Sequence, residues 1–91
     1  RPARRGAAVS ARVPLRRAVL LDTLNSDEVV EGYHDGRKNE PEPGGNRSFS
    51  YWHGWRNGMA DGYHAEPDDA QREMAHDVIE TGYLRNLRAV A

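Results

Sequence analysis

Two short words, Gly32-Tyr33-His34-Asp35-Gly36 and Gly54-Trp55-Arg56-Asn57-Gly58, constrain this chain more than any other feature. Each reads glycine, aromatic, any, any, glycine, and Gly62 extends the second by another four residues. Residues four apart share one face of a helix. A glycine inside a helix costs about 1 kcal/mol against alanine, so five at this spacing need a physical reason. One reason is that they end short helices, a common place for glycine. The other, which the regular spacing favours, is close approach: where Cβ is missing, another backbone or a partner comes within van der Waals reach.

The flanking residues supply helix starts and stops. Asn25 or Ser26 ahead of Asp27 and Glu28 places a capping side chain before acids that face the positive end of the helix dipole. A first helix is expected from Asp27 to Lys38, with Val29, Val30 and Tyr33 as its apolar stripe. Pro41, Pro43, Gly44 and Gly45 then make residues 39–46 a loop. Ser48 or Ser50 caps a second helix running to Asp61, with Tyr51, Trp55 and Met59 at four-residue steps and Trp52 beside them. A third helix is expected from Pro67, through Asp68 and Asp69, to Leu87. Its inner stripe is Met74, Ala75, Val78, Ile79 and Gly82, continued by Tyr83, Leu84 and Leu87, with Gly82 a point of kinking or interruption. No run alternates as a strand does. The predicted fold is all-α: a tight antiparallel hairpin of two glycine-faced helices, Gly32 and Gly36 against Gly54 and Gly58, backed by a third amphipathic helix.

With 91 residues the chain holds one small domain. Pro2, Gly6 and Pro14 break up residues 1–21, which read as a disordered basic leader ahead of a helical domain at 22–91. Six arginines precede the first acid, Asp22; from Asp22 onward come all 14 acids and the remaining seven of 13 bases. A basic arm favours nucleic acid or anionic surfaces, whereas the body is acidic. The absence of cysteine rules out disulfides and thiolate metal sites. No apolar run approaches the roughly 20 residues that span a bilayer, and a cytoplasmic protein without membrane contact is expected.

Recognition chemistry is densest at Trp52-His53-Gly54-Trp55-Arg56. Aromatic faces stack on bases, and a neighbouring arginine pairs with phosphate. The competing role of both tryptophans is to fill a small core, and that of the cations is ordinary solvated surface. Arg37, Lys38, Arg47, Trp52, His53 and Arg56 are the candidate RNA-binding residues. Glu73-x-x-His76 has the spacing of half a di-iron site, but a second copy and two more carboxylates are needed. No metal or other cofactor is expected. Phosphate-cradling loops and nucleophile elbows are missing, so no catalysis is expected either.

Between Glu28 and Gly62 the chain resembles ribosome modulation factor and its small bacterial and phage-borne relatives. The resemblance is carried by Gly32-Tyr33-His34-Asp35-Gly36-Arg37, the proline- and glycine-rich loop, and Trp52-His53-Gly54-Trp55-Arg56-Asn57-Gly58. It implies a two-helix protein that binds small-subunit ribosomal RNA near the messenger exit and helps park ribosomes as inactive dimers. It also implies RNA contacts at Arg37, Arg47, Trp52 and Arg56, and a packing pair of Tyr33 and Trp55. Two alternatives accompany that expectation. One is a protein-interaction module using the acidic third helix, with Asp68, Asp69, Glu73, Asp77 and Glu80, as its docking face. The other is a fluoroquinolone-modifying phosphotransferase-like relative, for which the chain offers no phosphate-binding equipment.

Overall fold

A computed structural model describes residues 12–83. They form three α-helices, α1 (Ser26–Arg37), α2 (Phe49–Asp61) and α3 (Asp69–Thr81), preceded by a 3-10 helix over Ala18–Thr23. The all-α expectation holds. The expected disorder of residues 1–21 lies outside the described residues as far as residue 11; from Arg12 onward that stretch is part of the structure. Contacts divide the chain into two units, one comprising residues 25–66 with Arg12 and Val13, the other residues 14–24 with those from Pro67 on.

In the first unit both helix starts are capped as their sequences predict. Asn25 Oδ1 accepts from the Glu28 amide at 3.0 Å, and Ser48 Oγ accepts from the Tyr51 amide at 3.1 Å. The two caps are also tied to each other. Ser48 Oγ donates to Glu28 at 2.6 Å, and the Asn25 amide donates to buried Ser50 Oγ at 2.9 Å.

Below these caps the helices meet backbone to backbone. A Cβ added at Gly32 would fall under 3.0 Å from the Tyr51 carbonyl and 2.9 Å from the Trp55 nitrogen. At Gly36 the obstacles are the Trp55 carbonyl and the Met59 nitrogen, the latter at 2.8 Å. The relation is reciprocal: Gly54 faces Val29 and Tyr33, and Gly58 faces Tyr33 and Arg37. The hydrogen that each glycine carries in place of Cβ therefore points at a carbonyl of the other helix, the arrangement of a Cα–H···O=C contact. Small residues four apart permit the same approach between membrane helices; here it joins two helices of one short chain.

The register reverses the expected direction. Residues 32 and 36 meet 51/55 and 55/59, so the contacts climb both helices together. The helix starts share one end through Asn25, Glu28, Ser48 and Ser50. The far ends meet through Tyr33 with Asp61 and His64 with the Arg37 carbonyl. The helices of the pair run parallel, not antiparallel. Gly62 takes no part in the crossing: the atoms nearest an added Cβ there belong to the His64 ring, at 2.9 Å, and to Gly58.

Parallel neighbours require the chain to return before it can start again. Twelve residues of α1 cover about 18 Å, and residues 38–48 reach that far because extended chain covers about 3.3 Å per residue. The return segment lies along the tryptophan side of α2. Trp55 Nε1 donates to the Glu40 carbonyl at 2.8 Å, and Trp52 Nε1 donates to the Glu42 carboxylate at 3.1 Å. Arg12 closes the other end, donating to the carbonyls of Pro43 at 2.8 Å, Gly44 at 2.6 Å and Arg47 at 3.2 Å. Placed within the expected leader, Arg12 in fact buttresses the loop.

The second unit packs the 3-10 helix on α3. Ala18 and Ala70 are its buried apolar residues. Asp77 accepts from the Ala18 amide at 2.6 Å, Arg16 pairs with Glu73 at 2.9 Å, and Tyr83 donates to Asp22 at 2.8 Å. The third helix begins later than predicted. Asp68 is the cap and exchanges hydrogen bonds with Gln71 in a capping box, which leaves Pro67 outside the helix. Gly82, left-handed at φ 66°, ends it where a kink or interruption was expected. Leu84 and Leu87 lie outside the described residues. Among the described residues no helix is long and apolar enough to cross a membrane.

Candidate nucleic-acid interface

The six candidate residues do not form one patch. Trp52 and His53 are buried, at 7% and 8% exposure. The guanidinium groups of Arg12, at 5.7 Å, and Arg56, at 4.9 Å, lie over the Trp52 ring, with Phe49 tilted against it at 5.5 Å. Its face is already stacked and its N–H already donated to Glu42. Arg56 is thereby drawn onto the tryptophan. Arg47, next to the start of α2, stacks 4.1 Å over the Tyr51 ring and pairs with Glu31 at 3.2 Å.

His53 has no solvent to turn to. Asn57 Nδ2 lies 3.2 Å from its Nε2; with the amide donating, Nε2 accepts and the ring proton sits on Nδ1. Nδ1 finds no partner among the described residues. Burial first, and the Arg56 charge second, hold the His53 pKa below its ordinary value. Tyr51 is the other perturbed core group. Burial, reinforced by its hydrogen bond to Asp35, pushes its phenol up to about 12.

Arg37 and Lys38 stand apart from all of these, exposed at the end of α1. Parallel packing brings the end of α2 beside them. Each helix finishes in a Schellman motif. For α1, Asn39 N donates to the Gly36 carbonyl at 2.9 Å and Glu40 N to that of Asp35 at 3.0 Å. For α2, Tyr63 N donates to Ala60 at 3.1 Å and His64 N to Met59 at 2.8 Å. Such motifs need one left-handed residue, and Asn39 and Tyr63 both have φ 64°. His64 Nε2 lies 2.9 Å from the Arg37 carbonyl, which binds the two ends together. Arg37 lies 6.0 Å over the Tyr33 ring, and its pKa is raised first by the Tyr33 hydrogen bond, with Asp61 and Tyr63 adding smaller charge effects. Asp61, in the last turn of α2, accepts from the Tyr33 hydroxyl at 2.7 Å. Lys38 has no ion-pair partner among the described residues.

Tyr63 and His64 fall just past the predicted end of the second helix and carry no predicted role. The signal was available: a helix end at Gly62 followed by two ring-bearing residues, opposite the Arg37-Lys38 pair. It needed the parallel direction to become visible. The expected packing pair sits at the glycine crossing, since Gly58 faces the Tyr33 backbone and Gly36 that of Trp55.

In the second unit, Glu73 is taken by Arg16, and His76 faces Glu80 at 3.6 Å, one turn on. These two residues line an open groove of about 290 Å³ with Arg16, Arg17, Arg72 and Asp77. Arg17 and Arg72 are paired with Asp77 and Asp69, at 3.5 and 3.3 Å. No protein-family model, curated protein or solved structure matches the chain.

Proposed function

We propose that this chain is a non-catalytic RNA-binding protein that acts on the small ribosomal subunit and modulates translation. The observation that carries the reading is the shared far end of α1 and α2, where the His64 bond to the Arg37 carbonyl joins a turn bearing exposed Tyr63 to a helix end bearing exposed Arg37 and Lys38. Cations beside an aromatic face suit a flexible phosphate backbone with unstacked bases. The resemblance to ribosome modulation factor rests on the same glycine words that bring the two helix ends together. It supports a ribosomal target over RNA in general.

The test is co-sedimentation with small subunits across a salt series. Two phosphate contacts to a single strand give a log–log slope of about −1.4, so a fourfold rise in salt weakens binding about sevenfold. The double variant Arg37→Ala/Lys38→Ala should bind more weakly and flatten that slope. Failure to co-sediment at the lowest salt refutes the proposal.

One observation favours a second reading, docking of a protein partner on α3. Ile79 is 76% exposed on that helix, beside half-buried Val78 and among Asp69, Glu73 and Glu80. Replacing Val78 and Ile79 by charged residues would abolish capture of such a partner while leaving ribosome binding intact. If the same change releases the ribosome instead, the two readings describe one surface.

A further inference from the structure

The fold has no use for a tyrosine at position 63. The Schellman motif that closes α2 demands a left-handed residue, and glycine is the residue that takes this conformation without strain. Gly62 stands one position too early, in the ordinary region at φ −85°. The strained position falls to Tyr63, and a bulky residue is a rare occupant of the left-handed region because its Cβ crowds the following carbonyl. Asn39, at the matching place in α1, is a type that tolerates it.

Packing returns nothing for that strain. The Tyr63 side chain is 96% exposed and makes no hydrogen bond or ring stack among the described residues; it reaches the rest of the fold only through a small charge effect on Arg37. A strained residue with an idle side chain is expected where function holds it in place. Its surroundings say what the function is. The His64 bond to the Arg37 carbonyl fixes the turn against the end of α1, beside the exposed side chains of Arg37 and Lys38.

We infer that the Tyr63 ring is a stacking platform for one unpaired base of a single-stranded RNA, with Lys38 and Arg37 placed for the flanking phosphates. This rests on the RNA-binding reading above and narrows it to a strand whose bases are free to splay. A paired duplex offers no base to stack, so the platform distinguishes single-stranded from double-stranded RNA.

Tyr63→Gly separates this role from a structural one, because the two predict opposite shifts. Melting temperature is measured together with anisotropy binding to a fluorescent unstructured ten-nucleotide RNA and to a duplex RNA of equal length, each over a salt series. The expected result is a higher melting temperature, single-strand affinity lower by about tenfold, unchanged duplex binding and an unchanged salt slope. Tyr63→Phe and Tyr63→Trp should keep wild-type affinity, whereas Lys38→Ala should flatten the slope. Wild-type single-strand affinity in Tyr63→Gly overturns the platform, and so does a lower melting temperature, which would make the ring structural. Wild-type protein that binds ribosomes and duplex RNA but not the single strand also overturns it, leaving the broader reading intact. Wild-type protein that binds none of the three removes both.

Discussion

Gly54→Ala is the smallest change that challenges the helix crossing. In a solvated helix it would stabilise the protein by about 1 kcal/mol. Here the new methyl would lie 2.8 Å from the Val29 carbonyl carbon and 2.9 Å from the Tyr33 nitrogen, and closer still to the Val29 oxygen. Ordinary contact begins at 3.4 Å, and every obstructing atom is backbone, so no side chain can rotate aside. One helix has to move by about 1 Å along its contact. Overpacking of this kind costs about 1–3 kcal/mol. The displacement also loosens the Cα–H···O contacts at all four crossing glycines, at about 0.5–1 kcal/mol each. Set against the propensity gain, the net loss is about 2–6 kcal/mol. A domain of this size has about 4–10 kcal/mol in total, and its melting temperature falls about 4–8 °C per kcal/mol. Thermal melting followed by circular dichroism should therefore show a drop of at least about 8 °C. Gly45→Ala is the control, since nothing lies within 4 Å of an added Cβ there. A Gly54→Ala protein that melts at or above the wild-type temperature refutes the reasoning.

Three further outcomes follow from the packing around the crossing. The raised Tyr51 phenol keeps its proton in the fold while the unfolded chain loses it, so this stabilisation is complete below pH 10 and is lost as pH rises towards about 12; urea titrations should show the decline, and Tyr51→Phe should lessen it. The depressed His53 works in the opposite sense, supporting the fold above its unfolded pKa of about 6.5 and losing that contribution as pH falls further. His53→Gln should remove part of the acid sensitivity in the same titrations. Arg12→Ala frees the return segment and should cost about 1–2 kcal/mol by denaturation, with Arg12→Lys a poor substitute because a single ammonium cannot reproduce the fork that spans the carbonyls of Pro43, Gly44 and Arg47.

Local features were legible from the chain because local chemistry sets them. Asn25 and Ser48 cap where their neighbours require, and the four-residue glycine spacing announced a crossing without side chains. Direction was not legible. Gly-x-x-x-Gly sets how near two helices come, and it is equally satisfied by either orientation. The choice is visible only in long-range bonds: Trp55 to the Glu40 carbonyl, Trp52 to Glu42 and Arg12 to the loop, which hold the return segment against α2. That same direction explains the fate of the candidate site. Trp52 looked equally suited to a base and to a core; in the fold it is 7% exposed, with its N–H held by Glu42 of the return segment. Tyr63 lies just past the predicted end of the second helix, and its turn meets the Arg37-Lys38 end of α1 because both helices finish at one end.

The parallel crossing can be read directly from proton contacts in a solution NMR spectrum. The α protons of Gly32 should show cross-peaks to Tyr51 and Trp55, those of Gly36 to Trp55 and Met59, and those of Gly54 to Val29 and Tyr33. Cross-peaks joining Gly32 to Met59 and Gly36 to Tyr51 would mean an antiparallel pair, and would undo both the crossing and the RNA-binding end proposed from it.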